Sequence, residues 1–337
     1  MHRPRALPGE PAATCADRDR GRAPAHTLAS MAADALPISF DARYGAGQKR
    51  ALVLGGGGLY FIAWQVAYLT GLARAGIVLT DADRVVGTSA GSMIASVYTG
   101  GGIRRFARTV EWLSKTPGVT AKLAPAGSLA PSQERALALF RNADNADPAT
   151  VQQIGRAAMA AASAPASSMR RTARMMILRR RWPAPSLQIT AVDTYTAERI
   201  VIGSRAGVPV AAASAASGSV PGLFAPQLIG DRFCMDGGVS GTGTHGDLVA
   251  GAAKVIVVSL SEAFRGSGPR PGGMTQAVGA YDRELDDLRA AGSDVLAVGP
   301  EAADINTLMD PRAVPDALGM GARQAAADVD RIRMFWR

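Results

Sequence analysis

The sequence predicts an α/β protein whose parallel sheet is covered by helices on both faces, and three observations predict it. Short apolar runs, "RALVL" at 50–54 and "RVVG" at 84–87, read as buried parallel strands. Each is followed by a longer run with helical patterning, from about Tyr60 to Ala75 and from Ser89 to the glycines at 100–102. Strand and helix then alternate again toward the C-terminus, as parallel pairing requires, because a parallel crossover needs a connection long enough to hold a helix.

Size and composition set the frame. A chain of 337 residues with 47% hydrophobic content can bury one large core. The net charge of +9 is carried by arginine, since Lys49, Lys115, Lys122 and Lys254 are the only lysines among 37 basic residues. That balance favours an acidic partner, a phospholipid surface or nucleic acid, and fits genomic base composition equally well. Cys15 and Cys234 suggest no disulfide framework, and no Cys/His cluster has zinc spacing.

Residues 1–48 read as a disordered basic extension, because they mix charge, proline and alanine without the apolar core of a secretory signal; Met31 is a second candidate start. From Ala51 to Ala73 no charged residue occurs for 23 positions, a length that admits a membrane span. Gly55–Gly58 interrupt it, so a strand, a turn and a helix are expected instead. Next come "RVVG" and the helix opened by Ser89.

Residues 103–186 read as a helical, Arg-rich insert or lid. "IRRFARTVEWLSK" has a helical pattern, a Pro/Gly/Ser-rich interruption occupies 117–132, and residues 148–192 hold seven arginines and no acid. On a helix Arg170, Arg171, Arg174 and Arg181 would share a face, while Arg179 and Arg180 spoil the separation. A solvated helix is the plain account; the sharper expectation is peripheral contact with an anionic membrane through Arg170, Arg171 and Arg174.

Strands return with "SLQITAVD" at 186–193 and "RIVIG" at 199–203. A helix over 208–217 leads into "SVPGLFAPQLI" and "RFCMDGG", then the strand "KVIVVSL" at 254–260. The tail holds an amphipathic helix in "TQAVGAYDRELDDLRAAG", a strand "DVLAVG", and a terminal helix from about Pro315 to Met334.

Three features carry chemistry. Gly87-Thr88-Ser89-Ala90-Gly91 has the layout of a strand-turn-helix elbow that lifts a serine hydroxyl out of a sheet. Its base is in question, because the only histidines are His2, His26 and His245. The four glycines after the first strand lack the spacing of a dinucleotide loop and the Gly-Lys-Ser/Thr of a Walker loop, which leaves an oxyanion hole, worth about 3 to 4 kcal/mol per N–H donor. "MDGGVSG" places Asp236 at a strand end before Gly237 and Gly238, where it suits either a turn or a catalytic carboxylate.

Taken together, "LVLGGGGLYFIAWQ", "GTSAG", "SVPGLFAPQLI" and "MDGG", in this order and at these separations, resemble the patatin-like phospholipases of bacteria. "WPAPSLQITAVD" and "HGDLVAGA" add to the likeness, which covers about residue 49 to the C-terminus. The resemblance implies a patatin-like three-layer α/β/α domain over 49–337 with a mainly parallel central sheet and a helical insert. It implies a Ser89–Asp236 dyad without histidine, an oxyanion hole at Gly56, Gly57 and Gly58, and support from Gly87, Gly91, Gly237 and Gly238. The activity it implies is lipid acyl hydrolysis, as a phospholipase A, lysophospholipase or carboxylesterase, through an acyl-enzyme, with no metal or organic cofactor. A cytoplasmic or peripheral membrane location fits.

Departures and rivals complete the reading. The family often has Arg or Lys and then Gly after the glycine run, where this chain has Tyr60 and Phe61, so the oxyanion geometry is in question. His245 stands where related sequences more often have asparagine and reads as a loop histidine, not a triad member. Asp193 reads as a turn cap, Cys234 as a small core residue, and Trp64 and Tyr68 as helix packing. An acyltransferase or thioesterase with the same dyad, and a silent lipid-binding protein of the same fold, are the alternatives. Nucleic-acid binding has only the arginine content in its favour, with no recognition motif, and is not expected.

Overall fold

The structure is a computed structural model, and it describes residues 45–116, 128–241, 243–265 and 274–337. The expected N-terminal extension, over its residues 1–44, and residues 117–127 of the Pro/Gly/Ser-rich interruption lie outside the described residues.

Strand β1 (Arg50–Leu54) is central and pairs in parallel with β2 (Arg84–Gly87) and with β7 (Lys254–Val258). Parallel pairing continues outward to β3 (Leu187–Asp193) beyond β2 and to β8 (Asp294–Val298) beyond β7. Residues 51–54 of β1 are fully buried, as expected for a strand covered on both faces. The other end of the sheet is antiparallel: β4 (Arg199–Ile202) and β6 (Arg232–Asp236) both pair with β3, and β5 (Gln227–Ile229) pairs with β6. Loop length is the cause for β3–β4 and for β5–β6. Residues 194–198 join β3 to β4, and the two residues Gly230 and Asp231, with Gly230 at φ 61°, join β5 to β6. Such connections close hairpins and are too short for a crossover.

Among the described residues the helices are α1 (Gly58–Arg74), α2 (Ala90–Thr99), α3 (Ile103–Ser114), α4 (Pro131–Asn142), α5 (Pro148–Ala160), α6 (Ala166–Ile177), α7 (Val210–Ser217), α8 (Ala280–Ala290) and α9 (Val314–Trp336). Alternate strand residues feed opposite layers. Leu52, Leu54, Val85 and Ile256 join α1, α2, α3, α6, α7 and α9 in one core, whereas Ala51, Val53, Val86 and Val255 join Tyr281, Leu285 and Leu288 of α8 in the other. The result is the three-layer α/β/α arrangement. Its sheet is mixed, with four parallel and three antiparallel pairings.

The charge-free run at 51–73 is β1, a glycine loop and α1. No helix among the described residues is long and apolar enough to cross a membrane. Instead α1 zips along α9 at a constant sequence offset, which makes the two helices parallel. Tyr60 Oη reaches Met320 Sδ at 3.5 Å, Trp64 Nε1 donates to Gln324 Oε1 at 2.8 Å, and Tyr68 Oη donates to Asp328 Oδ2 at 2.7 Å. The helices approach closely because Gly71 has no Cβ; one there would fall 2.6 Å from Ala325 Cβ.

In α6, Met169, Ala173 and Ile177 are buried at four-residue spacing, and Arg171 and Arg174 are exposed on the other side. Two sequence expectations change here. Arg170 Nε donates to Gln227 Oε1 at 2.8 Å, so this side chain is tied to β5 instead of lying free beside Arg171 and Arg174. Leu178, at φ 53°, ends the helix, so Arg181 lies beyond it and shares no helical face with the others. Arg179 Nη2 donates to the Gly100 carbonyl at 2.7 Å and anchors that end to the C-terminus of α2.

Candidate active site

The elbow forms where β2 stops. Gly87 is its last residue, Thr88 N–H donates to the Leu54 carbonyl at 3.0 Å, and Ser89 takes φ 50° and ψ −119° before α2 begins at Ala90. A left-handed φ at a non-glycine residue costs on the order of 1–3 kcal/mol and persists only where the surroundings enforce it. Here they do. Ser89 N–H donates to Ser217 Oγ at 2.8 Å, and Ser92 Oγ donates to the Ser89 carbonyl at 2.7 Å. Gly91 lets the turn sit on β1, since a Cβ there would lie 1.9 Å from the Leu54 carbonyl oxygen. Ser89 itself is half-buried.

Sheet register supplies the partner. Gly87 pairs with Ile189 of β3, and Asp236, the last residue of β6, pairs with Ala191 two residues further along the same strand. Ser89 lies two residues past Gly87, and so the two side chains meet: Ser89 Oγ donates to Asp236 Oδ2 at 2.7 Å. The second oxygen, Oδ1, accepts Gly238 N–H at 2.8 Å, which closes the tight turn through Gly237. The turn and the carboxylate-serine contact that the sequence set against each other therefore coexist on one side chain.

Asp236 is buried, and burial pushes its carboxyl pKa up to about 6 although the hydrogen bonds from Ser89 and Gly238 pull it down. A carboxylate with that pKa is ionised at neutral pH and more basic than an exposed aspartate. His245 is not at the serine. Its Nε2 lies 2.9 Å from the Gly237 carbonyl, and burial together with the Arg199 guanidinium pushes its pKa down to about 3.

The glycine loop lies against the elbow. A Cβ on Gly56 would touch Ser89 Cβ at 3.1 Å, and Gly56–Gly58 are half-buried. Their N–H groups differ. Gly56 N–H is spent on the Gly243 carbonyl at 3.0 Å, whereas those of Gly57 and Gly58, at the start of α1, have no partner among the described residues. Tyr60 and Phe61 turn inward: Tyr60 Oη donates to the Ala302 carbonyl at 2.6 Å, and Phe61 is fully buried and stacked on Trp64. Phe61 lies directly under the loop, since a Cβ on Gly57 would fall 2.6 Å from Phe61 Cβ.

The remaining expectations settle as plain structure. Asp193 Oδ1 accepts the N–H groups of Tyr195 and Thr196 as a turn cap, and Cys234 is a buried core thiol. Ser217 and Gly243 were not anticipated, for neither is part of a motif and each lies more than a hundred residues from the group it holds.

The family model for patatin-like phospholipases matches residues 52–245, more than half of the chain. The chain belongs to this family. No curated protein matches it. Two solved structures of distant proteins are similar to this patatin-like chain. VipD from Legionella pneumophila is 13% identical, with 84% of this chain and 67% of VipD covered at a TM-score of 0.38. The type III effector ExoU is 17% identical, with 84% of this chain and 54% of ExoU covered at a TM-score of 0.31. The matched span holds the glycine loop, Ser89, Asp236 and His245. Beyond it, β7, β8, α8 and α9 complete the same sheet and its two covering layers.

Proposed function

We propose that this patatin-like protein is a serine lipid acyl hydrolase that cleaves phospholipid or related acyl esters through a Ser89–Asp236 dyad. The observation that carries the reading is the 2.7 Å contact between Ser89 Oγ, on a strained elbow, and the buried Asp236 carboxylate. Family membership supports the substrate class, and the dyad accounts for catalysis without a histidine base.

The chemistry follows from these groups. Asp236 Oδ2 takes the hydroxyl proton as Ser89 Oγ bonds to the ester carbonyl carbon. The carbonyl oxygen becomes an oxyanion, for which the N–H groups of Gly57 and Gly58 are the donors; Gly56, its N–H already used, forms the wall beside Ser89 Cβ. Collapse breaks the bond to the leaving alcohol, which departs with the proton from Asp236. Water then gives a proton to Asp236 and attacks the acyl carbon; Ser89 Oγ leaves and recovers that proton, and the free acid is released.

The test is release of fatty acid from defined phospholipid vesicles and of p-nitrophenol from esters of graded chain length, by the wild type and by Ser89→Ala. The reading expects wild-type turnover with free acid as product and none above background in the variant. Equal turnover by both proteins rules it out, and acyl transfer to an added alcohol in place of acid release makes the protein a transferase.

A further inference from the structure

The dyad leaves two buried groups, Arg199 and His245, without a task. Arg199 on β4 is fully buried at its side chain and forms a two-pronged ion pair with Asp247, Nη1 to Oδ1 at 2.6 Å and Nη2 to Oδ2 at 2.7 Å. The same Nη1 lies 3.3 Å from His245 Nδ1. A guanidinium has no acceptor, so Nδ1 must accept and the ring proton sits on Nε2. The other side of the ring agrees, because Nε2 faces the Gly237 carbonyl, which can only accept, at 2.9 Å. Arg199 therefore dictates the tautomer, and the tautomer provides a donor for Gly237.

Gly237 is the residue after Asp236, and its carbonyl also accepts Ser240 Oγ at 2.9 Å. Its backbone is seated on Thr190 of β3, whose Oγ1 lies 2.8 Å from Oγ1 of Thr88, the residue before the nucleophile. A continuous set of contacts thus runs from Asp247 through Arg199 and His245 to the aspartate turn, and from there to the serine elbow. On the strength of the Ser–Asp reading, on which this rests, we infer that His245 is a positioning residue whose Nε2–H, fixed by Arg199, holds Gly237 and so keeps the Asp236 carboxylate in line with Ser89 Oγ.

Two measurements test it. The first uses the wild-type protein with ¹⁵N-histidine; His245→Gln assigns the resonance among only three histidines. The His245 ring is expected to stay neutral with the proton on Nε2 from pH 5 to 9. A proton on Nδ1, or titration within that range, overturns the proposal, and this arm holds whatever the substrate turns out to be.

The second compares His245→Gln, whose amide nitrogen stands near the Nε2 position, with His245→Phe, which keeps a ring and removes the donor. The Phe variant is expected to lose on the order of 10²-fold in kcat with KM within about 2-fold of wild type, the scale of a misplaced catalytic group. The Gln variant is expected to recover most of that loss and keep the acid limb of the pH profile where the wild type has it. Equal losses in both variants, or a Gln variant whose acid limb moves, refute the positioning role. If the Phe variant fails to fold, the Gln variant and the resonance decide. Activity that survives Ser89→Ala overturns the Ser–Asp reading itself and leaves the tautomer result standing, so the two failures are distinguishable.

Discussion

Ser89 Oγ and Asp236 Oδ2 meet at 2.7 Å across 147 residues of sequence, and each is held by backbone geometry that has little freedom to vary. Ser89 is fixed by an elbow wedged against β1 and Ser217, and Asp236 by its register on β3 and its Oδ1 bond to Gly238. The contact is built into the sheet and needs no substrate to form it.

Replacing Asp236 with asparagine keeps the shape and the Gly238 bond but removes the proposed base. Turnover is expected to fall by about 10²–10⁴-fold, the usual contribution of a general base. At pH 8 the variant is expected to be at least as stable as the wild type, because a buried charge has been removed. Ester kinetics and urea unfolding check the two halves, and a variant with near wild-type turnover contradicts the role of Asp236.

The same carboxyl sets a pH dependence. In the proposed dyad only the ionised form accepts the serine proton, so with burial pushing this pKa up to about 6, kcat/KM is expected to rise with pH through that value and level off above it. A profile on substrates shorter than micelle-forming length checks this. An acid limb that remains in Asp236→Asn belongs to another group.

Gly57 admits no side chain. Gly57→Ala would bring a Cβ to 2.6 Å from Phe61 Cβ, so the loop must shift and its N–H groups with it. The loss of one well-placed oxyanion donor costs about 10²–10³-fold in kcat. The expected signature is a large fall in kcat with little change in KM, read by steady-state kinetics. Unchanged kcat removes Gly57 from the oxyanion hole.

Glu284 of α8 accepts Gly246 N–H at 2.5 Å and the Thr244 hydroxyl, and burial pushes its pKa up to about 7. A carboxyl whose folded pKa lies above its unfolded value of 4.5 binds more protons in the folded state. Its contribution to stability is therefore fully present below about 4.5 and is lost as pH rises through about 7. Over that window the wild type is expected to lose about 3 kcal/mol relative to Glu284→Gln, converted at 1.36 kcal/mol per pKa unit. Denaturant titrations of both proteins at pH 4.5 and pH 8 measure the difference; parallel pH curves count against it. His245 contributes with the opposite sign, because its depressed pKa makes stability rise with pH between about 3 and 6.5, so the comparison needs the variant and not the wild type alone.

How much of this was legible follows from where each interaction lives. The strand at 50–54, the elbow at Ser89 and the turn at Asp236 are local patterns of apolar runs and glycine, and they stand where the sequence put them. The antiparallel edge was not legible as such, for "RIVIG" and "RFCMD" show strand character but no direction. Nor was the division of labour among the glycines: nothing near Gly56 announces that its N–H is taken by Gly243, and nothing near Arg170 announces Gln227. Tyr60 and Phe61 look obstructive in a one-dimensional reading, yet helical geometry turns both into the core beside α9. His245 reads in the sequence as a loop histidine, and its contact with the Gly237 carbonyl was not legible there because it depends on a buried Arg199 from another strand.

The most direct test of the central claim is intact-mass analysis after exposure to a fluorophosphonate probe, with peptide mapping of the adduct, on wild type, Ser89→Ala and Asp236→Asn. The account expects one adduct on wild type at Ser89, none on Ser89→Ala, and labelling of Asp236→Asn slowed by about 10²-fold or more as the base is lost. An adduct that forms on Ser89→Ala at the wild-type rate, or one mapped to another residue, contradicts it.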